Sequence, residues 1–278
     1  MINNRKKGCF FGAIVGDALG MPYEFKQASQ IKYTGQMEAG GPFNLPKGCW
    51  TDDTSMTLCL LESLYEKNDF DAQNQLLKYL RWYEDGYMSP TKSCFDIGNQ
   101  TERSLISFSR DFGKTKATHS DTSAGNGALM RINAIPLMYS KEADIIKYAK
   151  LSTITTHNNP ECIEYSIKFA LLLRDVFNGM FINPLIDKYP TPDVKDVNGY
   201  VVGSYALALD AFYNTRSFSD CMKYVINKGG DTDTNACIAG MLAGAYYGYD
   251  KIPKEWVQDL VQLDKLENFY NLFSKKEL

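Results

Sequence analysis

The sequence predicts an all-α fold, a single compact multi-helix domain over residues 1–278, and three observations carry that prediction. Apolar residues return at three- and four-residue spacing in segment after segment. The alternating, β-branched runs that build a sheet are missing, and Gly199-Tyr200-Val201-Val202 is too short to make one alone. At 278 residues the chain is long enough to bury a sizeable core.

The helices can be placed one by one. Cys9-Phe10-Phe11-Gly12-Ala13-Ile14-Val15 follows Arg5-Lys6-Lys7, the outline of a short signal peptide. The apolar run is brief and Asp17 interrupts its continuation, so the segment reads as a buried first helix. Residues 55–66 carry Met56, Leu60, Leu61, Leu64 and Tyr65 at helical spacing, with Asp52 or Asp53 as the N-cap. Segments 73–83, 100–108, 142–151, 160–177, 200–213 and 219–227 repeat the pattern. Segment 233–247 is rich in small residues (Ala236, Ala239, Gly240, Ala243, Gly244, Ala245) and is expected at the centre, where close packing offsets the roughly 1 kcal/mol each glycine costs a helix. Loops are expected at 39–48, 112–123 and 183–198, the last because of Pro184, Pro190 and Pro192.

Bulk composition narrows the function classes. A net charge of -3 gives no electrostatic reason to expect nucleic acid, except as a modified substrate, or an anionic membrane. No stretch approaches the roughly 20 apolar residues that span a bilayer. The seven cysteines are odd in number, scattered and never spaced as C-x-x-C, which argues against a disulfide framework or zinc ribbon and for a reducing cytoplasm. Most should be small buried residues. A monomer is the default expectation.

Two acidic clusters stand out, Thr51-Asp52-Asp53-Thr54 and Asp231-Thr232-Asp233-Thr234, each opening a helical segment. Taken alone, either reads more readily as a cap whose acids complement the helix dipole. Together they offer four carboxylates and several hydroxyls, the oxygen-rich set hard divalent cations favour. Gly229-Gly230 before the second cluster allows backbone to approach a ligand closely. A third segment, Ser123-Ala124-Gly125-Asn126-Gly127-Ala128-Leu129-Met130-Arg131, lacks the ending of a phosphate-binding P-loop and follows no strand, but a glycine-rich turn opening a helix can present N–H groups to a phosphate. On turn chemistry alone, a plain tight turn fits it as well. Of the two histidines, His157 precedes a helix start at Pro160, and His119 sits in a polar loop beside Asp121, where exposure is expected. So few histidines leave little for a His-based zinc hydrolase or a Ser-His-Asp triad.

Seven segments then resemble, in order, those of one family. They are Gly12-Ala13-Ile14-Val15-Gly16-Asp17-Ala18-Leu19-Gly20-Met21-Pro22-Tyr23-Glu24-Phe25, Trp50-Thr51-Asp52-Asp53-Thr54, Phe95-Asp96-Ile97-Gly98-Asn99, Gly125-Asn126-Gly127-Ala128-Leu129-Met130-Arg131, Thr156-His157-Asn158-Asn159-Pro160, Gly199-Tyr200-Val201 and Gly230-Asp231-Thr232-Asp233-Thr234. The pattern resembles the ADP-ribosylglycohydrolase family, and within it the bacterial dinitrogenase reductase-activating type. The resemblance implies an all-α fold with two Mg²⁺ or Mn²⁺ ions at the bottom of a cleft. It implies Thr51, Asp52, Asp53, Asp231, Asp233 and Thr234 as metal ligands, and Glu24 as a carboxylate reaching in from a loop. Asp96 would orient the ribose at the scissile bond. Gly125, Asn126 and Gly127 would hold the pyrophosphate, while His157 and Tyr200 would line the ADP-ribose cleft. Asp17 is expected to support.

The implied reaction is hydrolysis of the ribose C1″ bond to a side-chain nitrogen or oxygen, through an oxocarbenium-like transition state. A metal pair would hold the ribose hydroxyls and lower the pKa of a water, with Asp52 or Asp53 as base. The expected partner is an ADP-ribosylated protein or a small ADP-ribose conjugate, with arginine favoured as acceptor. A module that binds ADP-ribose without cleaving it is the alternative, although no matched acidic position is substituted. An all-α phosphohydrolase fits less well, because its His-Asp pairs are absent.

Overall fold

A computed structural model describes residues 2–276. It has thirteen α-helices among these residues: α1 (Ile2–Gly20), α2 (Asp52–Lys67), α3 (Ala72–Asp85), α4 (Asn99–Arg110), α5 (Ala134–Met138), α6 (Glu142–Thr153), α7 (Pro160–Phe177), α8 (Ile182–Lys188), α9 (Val201–Asn214), α10 (Phe218–Ile226), α11 (Thr232–Tyr247), α12 (Lys254–Gln258) and α13 (Leu263–Phe273). Short 3-10 turns follow α1 (Met21–Tyr23) and precede α5 (Asn126–Arg131). β-structure among the described residues is limited to three isolated bridges, Gln27 with Gly229, Gly40 with Leu45, and Gly125 with Tyr200.

The centre is an antiparallel pair. Gly8, Gly12, Gly16 and Gly20 recur every fourth residue of α1 and face Gly244, Gly240, Ala236 and Thr232 of α11 in reverse order. A Cβ added at any of these four α1 glycines would lie 2.0–2.3 Å from a carbonyl oxygen of α11, so the two backbones touch. Both helices are buried almost all round, and the remaining elements pack outward from them. At the far end α13 closes the core, with the Tyr270 ring tilted and the Phe273 ring edge-on against Phe10.

Caps explain where several helices begin and end. Asn159 accepts the N–H groups of Glu161 and Cys162 at the start of α7, ahead of Pro160 in the first turn. Asp71 and Ser217 do the same for α3 and α10. α3 ends at Gly86 in the left-handed region.

Two expectations need correction. The loop expected at 183–198 contains α8, with Pro184 in its first turn, where a missing N–H breaks no intrahelical bond. Neither Asp52 nor Asp53 is the N-cap of α2. Thr51 takes that position without a side-chain cap, and Asp17 of α1 accepts the N–H groups of Thr51 and Thr54 and the Thr54 hydroxyl (2.6–3.1 Å). Asp17 thus caps α2 from a neighbouring helix, leaving Asp52 and Asp53 in the first turn for other work. The short helices α5 and α12, and the longer α13, also lie outside the segments expected to be helical.

Six of the seven cysteines (Cys9, Cys49, Cys59, Cys162, Cys221, Cys237) are buried. No helix of the described residues is long and apolar enough to cross a membrane.

Candidate active site

The antiparallel contact of α1 and α11 brings the end of one helix beside the start of the other, and the site forms there. Past Gly20 the chain turns through Met21–Tyr23 and delivers Glu24. Gly229 and Gly230, at φ 74° and 77°, then stitch this segment to the second acidic cluster. The Gly230 N–H donates to the Lys26 carbonyl (2.9 Å), and the Phe25 N–H donates to the Gly230 carbonyl (2.8 Å). Both glycines need the left-handed region, and a Cβ at Gly229 would strike the Lys26 carbonyl at 2.5 Å.

The two acidic clusters meet. The hydroxyls of Thr51 and Thr234 both donate to Asp53 Oδ2 at 3.2 Å, although Asp53 and Thr234 are 181 positions apart. Carboxylate oxygens of Glu24, Asp96 and Asp233 lie within 4.8 Å of one another. Asp96 reaches them from a left-handed backbone conformation (φ 60°), which aspartate tolerates better than most residues. Asn126 Nδ2 donates to Asp231 Oδ2 (2.8 Å) and to Ser204 Oγ (3.0 Å), fastening the glycine turn to the same centre.

These groups floor a cavity of about 510 Å³ lined by Glu24, Phe25, Asp52, Asp96, Gly125, Asn126, Gly127, His157, Asp231, Asp233 and Thr234, among others. Thr51 and Asp53 lie fully buried and outside that lining. Gly127 packs against His157: a Cβ there would sit 2.9 Å from the imidazole Cε1. Tyr200 is the one expected cleft residue that does not line the cavity. Its backbone bridges to Gly125 and its hydroxyl donates to Glu161 Oε1 at 2.8 Å, so it braces the turn from the side. His119 lies at the surface against Asp121 (3.0 Å).

The family model described as ADP-ribosylglycohydrolase matches residues 2–277. The chain belongs to the ADP-ribosylglycohydrolase family. An ADP-ribosylarginine hydrolase of Pseudomonas putida (strain GB-1) is 34% identical over 275 residues, 92% of this chain and 74% of its own. The ADP-ribosyl-(dinitrogen reductase) glycohydrolase of Rhodospirillum rubrum is 30% identical over 275 residues, 93% of this chain and 91% of its own. A solved structure described as an ADP-ribosylglycohydrolase-related protein complex superposes with a TM-score of 0.88 at 32% identity, covering 100% of this chain and 99% of that one.

Electrostatics set the floor of this site apart from the rest of the molecule. Asp17, Glu24, Asp52, Asp53, Asp96, Asp231 and Asp233 influence one another's charge, and among the described residues none forms an ion pair with lysine or arginine. Burial is the first cause, and neighbouring carboxylates the second, by which Glu24 is pushed up to about 10 and Asp231 to about 8. Asp52, Asp53, Asp96 and Asp233 shift upward for the same leading reason. Buried oxygens of Glu24 (Oε2), Asp53 (Oδ1), Asp96 (Oδ2) and Asp233 (Oδ1) accept no hydrogen bond. Crowded, unpaired carboxylate oxygens of this kind fit a hard divalent cation, and the all-oxygen donor set suits Mg²⁺ or Mn²⁺. Burial holds the nearby Cys237 thiol well above its usual range.

A pH dependence follows. Asp231 and Glu24 hold their protons more tightly when folded than when unfolded. Their contribution to stability is whole below the unfolded carboxylate range near about pH 4 and is lost as pH rises through about 8 for Asp231 and about 10 for Glu24. In chelator, Tm should fall by on the order of 5–10 °C between about pH 5 and about pH 8, and excess Mg²⁺ or Mn²⁺ should abolish the fall. A Tm that stays level in chelator would show that the carboxylates do not repel.

The residue that sequence reasoning left without a role is Arg131. Its signal was present: a lone cation inside the apolar run Ala128-Leu129-Met130-Arg131-Ile132. In the structure it is buried directly behind the glycine turn.

Proposed function

We propose that this chain is a metal-dependent hydrolase that cleaves the C1″ glycosidic bond of ADP-ribosylarginine on protein and releases ADP-ribose. The observation that carries this reading is the convergence of both acidic clusters, Glu24 and Asp96 on one cavity floor with carboxylate oxygens left unpaired. The relatives named as ADP-ribosylarginine hydrolases favour arginine as the acceptor.

In this reading Thr51, Asp52, Asp53, Asp231, Asp233 and Thr234 hold two Mg²⁺ or Mn²⁺ ions. Such a pair, when bound, supplies a template for the ribose hydroxyls and acidifies a nearby water. The rest is done by the chain. Asp96 orients the ribose. The turn at Gly125, Asn126 and Gly127, fastened by Asn126 to Asp231, seats the pyrophosphate at a fixed distance from the floor. Asp52 lines the cavity and Asp53 does not, so Asp52 is the better placed to take a proton from the attacking water. Burial, the first cause that raises Glu24 above an exposed glutamate, favours its protonated form, and in this reading that proton goes to the departing guanidino nitrogen. The C1″–N bond breaks, a C1″–O bond forms, and the proton taken by Asp52 replaces the one Glu24 has lost.

Glu24→Gln keeps the shape and removes the acidic proton. It should lower kcat by about 10²-fold, within the range of general acid–base contributions, with bound metal unchanged. Loss of metal in this variant would place Glu24 among the ligands instead. The substrate is tested with arginine-, serine- and nucleic-acid-linked ADP-ribose, each with and without Mg²⁺. Release from the arginine conjugate alone, and only with metal, is expected. Tight ADP-ribose binding with no release from any conjugate would favour the non-hydrolytic binding module.

A further inference from the structure

Behind the Gly125-Asn126-Gly127 turn lies a cation with no carboxylate partner. Arg131 is 1% exposed, and among the described residues it takes part in no ion pair. Its Nη1 donates to the Gly127 carbonyl and its Nη2 to Thr156 Oγ1, both at 2.5 Å, while the guanidinium lies 4.9 Å from the Tyr79 ring centroid. Thr156 Oγ1 is in turn 2.8 Å from His157 Nδ1.

The donor inventory of these three side chains decides the direction of the hydrogen bonds. Arginine can only donate, so the Thr156 oxygen accepts from it and the threonine hydroxyl retains one hydrogen to give. Thr156 is fully buried, and among the described residues its hydroxyl meets Arg131 and His157 alone. If Nδ1–H donated to Thr156, that hydroxyl hydrogen would be stranded, at a cost of about 1–3 kcal/mol. The arrangement that leaves the Thr156 hydroxyl hydrogen and His157 Nδ1 both paired runs from Arg131 Nη2 to Thr156 to His157 Nδ1. A neutral imidazole that accepts at Nδ1 carries its proton on Nε2. Nε2 is the nitrogen facing the turn: a Cβ added at Gly127 would lie 3.1 Å from it, and one at Gly125 3.4 Å.

We propose that Arg131 and Thr156 are positioning residues whose relay holds His157 as the neutral Nε2–H tautomer, a fixed hydrogen-bond donor to an anionic ligand oxygen at the turn. The identity of that oxygen, a pyrophosphate oxygen of ADP-ribose, rests on the function proposed above; the tautomer does not. Burial, and after it the Arg131 charge, pushes His157 down to about 3, which agrees with a neutral ring and removes it as a base at neutral pH. Arg131 also anchors the turn itself through the Gly127 carbonyl, so one buried cation fixes both the backbone and the side-chain donor.

With only two histidines in the chain, ¹⁵N-histidine NMR reads the tautomer directly. In ligand-free protein at neutral pH, His157 should show an unprotonated Nδ1 and a protonated Nε2, the other signal set being assigned by its loss in His119→Asn. Thr156→Val should draw the two His157 shifts together and weaken ADP-ribose binding about tenfold, the value of roughly one oriented hydrogen bond. Thr156→Ser should restore both. A protonated Nδ1, a charged ring, or a tautomer unmoved by Thr156→Val overturns the relay. If the wild type shows the expected tautomer but does not bind ADP-ribose, the relay stands and the proposed ligand fails.

Discussion

Replacing Asp233 by Asn is expected to remove bound divalent metal and to lower ADP-ribose release by at least about 10³-fold, a loss of roughly 4 kcal/mol of transition-state stabilisation. Asp233 occupies the middle of the site. It belongs to the second acidic cluster, its carboxylate stands within 4.8 Å of those of Glu24 and Asp96, and one of its oxygens is buried without a partner. Asparagine keeps the shape and the first turn of α11 but removes a charge and a ligand oxygen. The same change relieves repulsion among carboxylates that lack counter-charges, so the metal-free variant should melt above the metal-free wild type. Activity lost with stability gained separates a site role from misfolding, and bound-metal measurement with melting in chelator reads both. Survival of metal and turnover in Asp233→Asn, Asp52→Asn and Asp231→Asn alike would sink the binuclear reading.

Gly240→Ala should be strongly destabilising, by about 3 kcal/mol and a Tm lower by on the order of 6–12 °C. The new methyl would lie 2.1 Å from the Gly12 carbonyl oxygen. Neither partner is a flexible side chain that can step aside; two helix backbones must separate. Since α1 carries Asp17 and leads directly into Glu24, that separation would also pull the cap off α2 and the acid from the cleft. Gly98→Ala is the control, because a methyl there meets nothing within 4 Å, and its Tm should stay within a few degrees of wild type. Equal melting of the two variants would show that the α1–α11 contact is not rigid.

Much of the helical content was legible because apolar spacing is a local property. The helices from α2 to α11 with strong periodicity sit where the pattern placed them, within a few residues. α8 was masked by Pro184, whose helix-breaking reputation does not apply in a first turn. The acidic clusters were equally visible, and Asp231 does take the N-cap position of α11, but the N-cap reading of Asp52 or Asp53 failed for a tertiary reason: the cap of α2 comes from Asp17, 34 positions away from Thr51. Tyr200 shows the converse. Its motif was recognisable, but its ring points to Glu161 and not to the cavity.

From the sequence alone came the all-α class, the family, and the list of oxygen-bearing residues, because each rests on composition or on short runs of residues. The tertiary structure decided that those residues share one floor. Periodicity tells which face of a helix is apolar, not which other helix it will meet. Here the meeting is set by glycines at every fourth residue of α1 fitting the small residues of α11, a contact that exists only when both helices are present. That fit brings Gly20 to Thr232, and with them Glu24 to Asp231 and Asp233; from there Thr234 reaches Asp53 across 181 positions of chain.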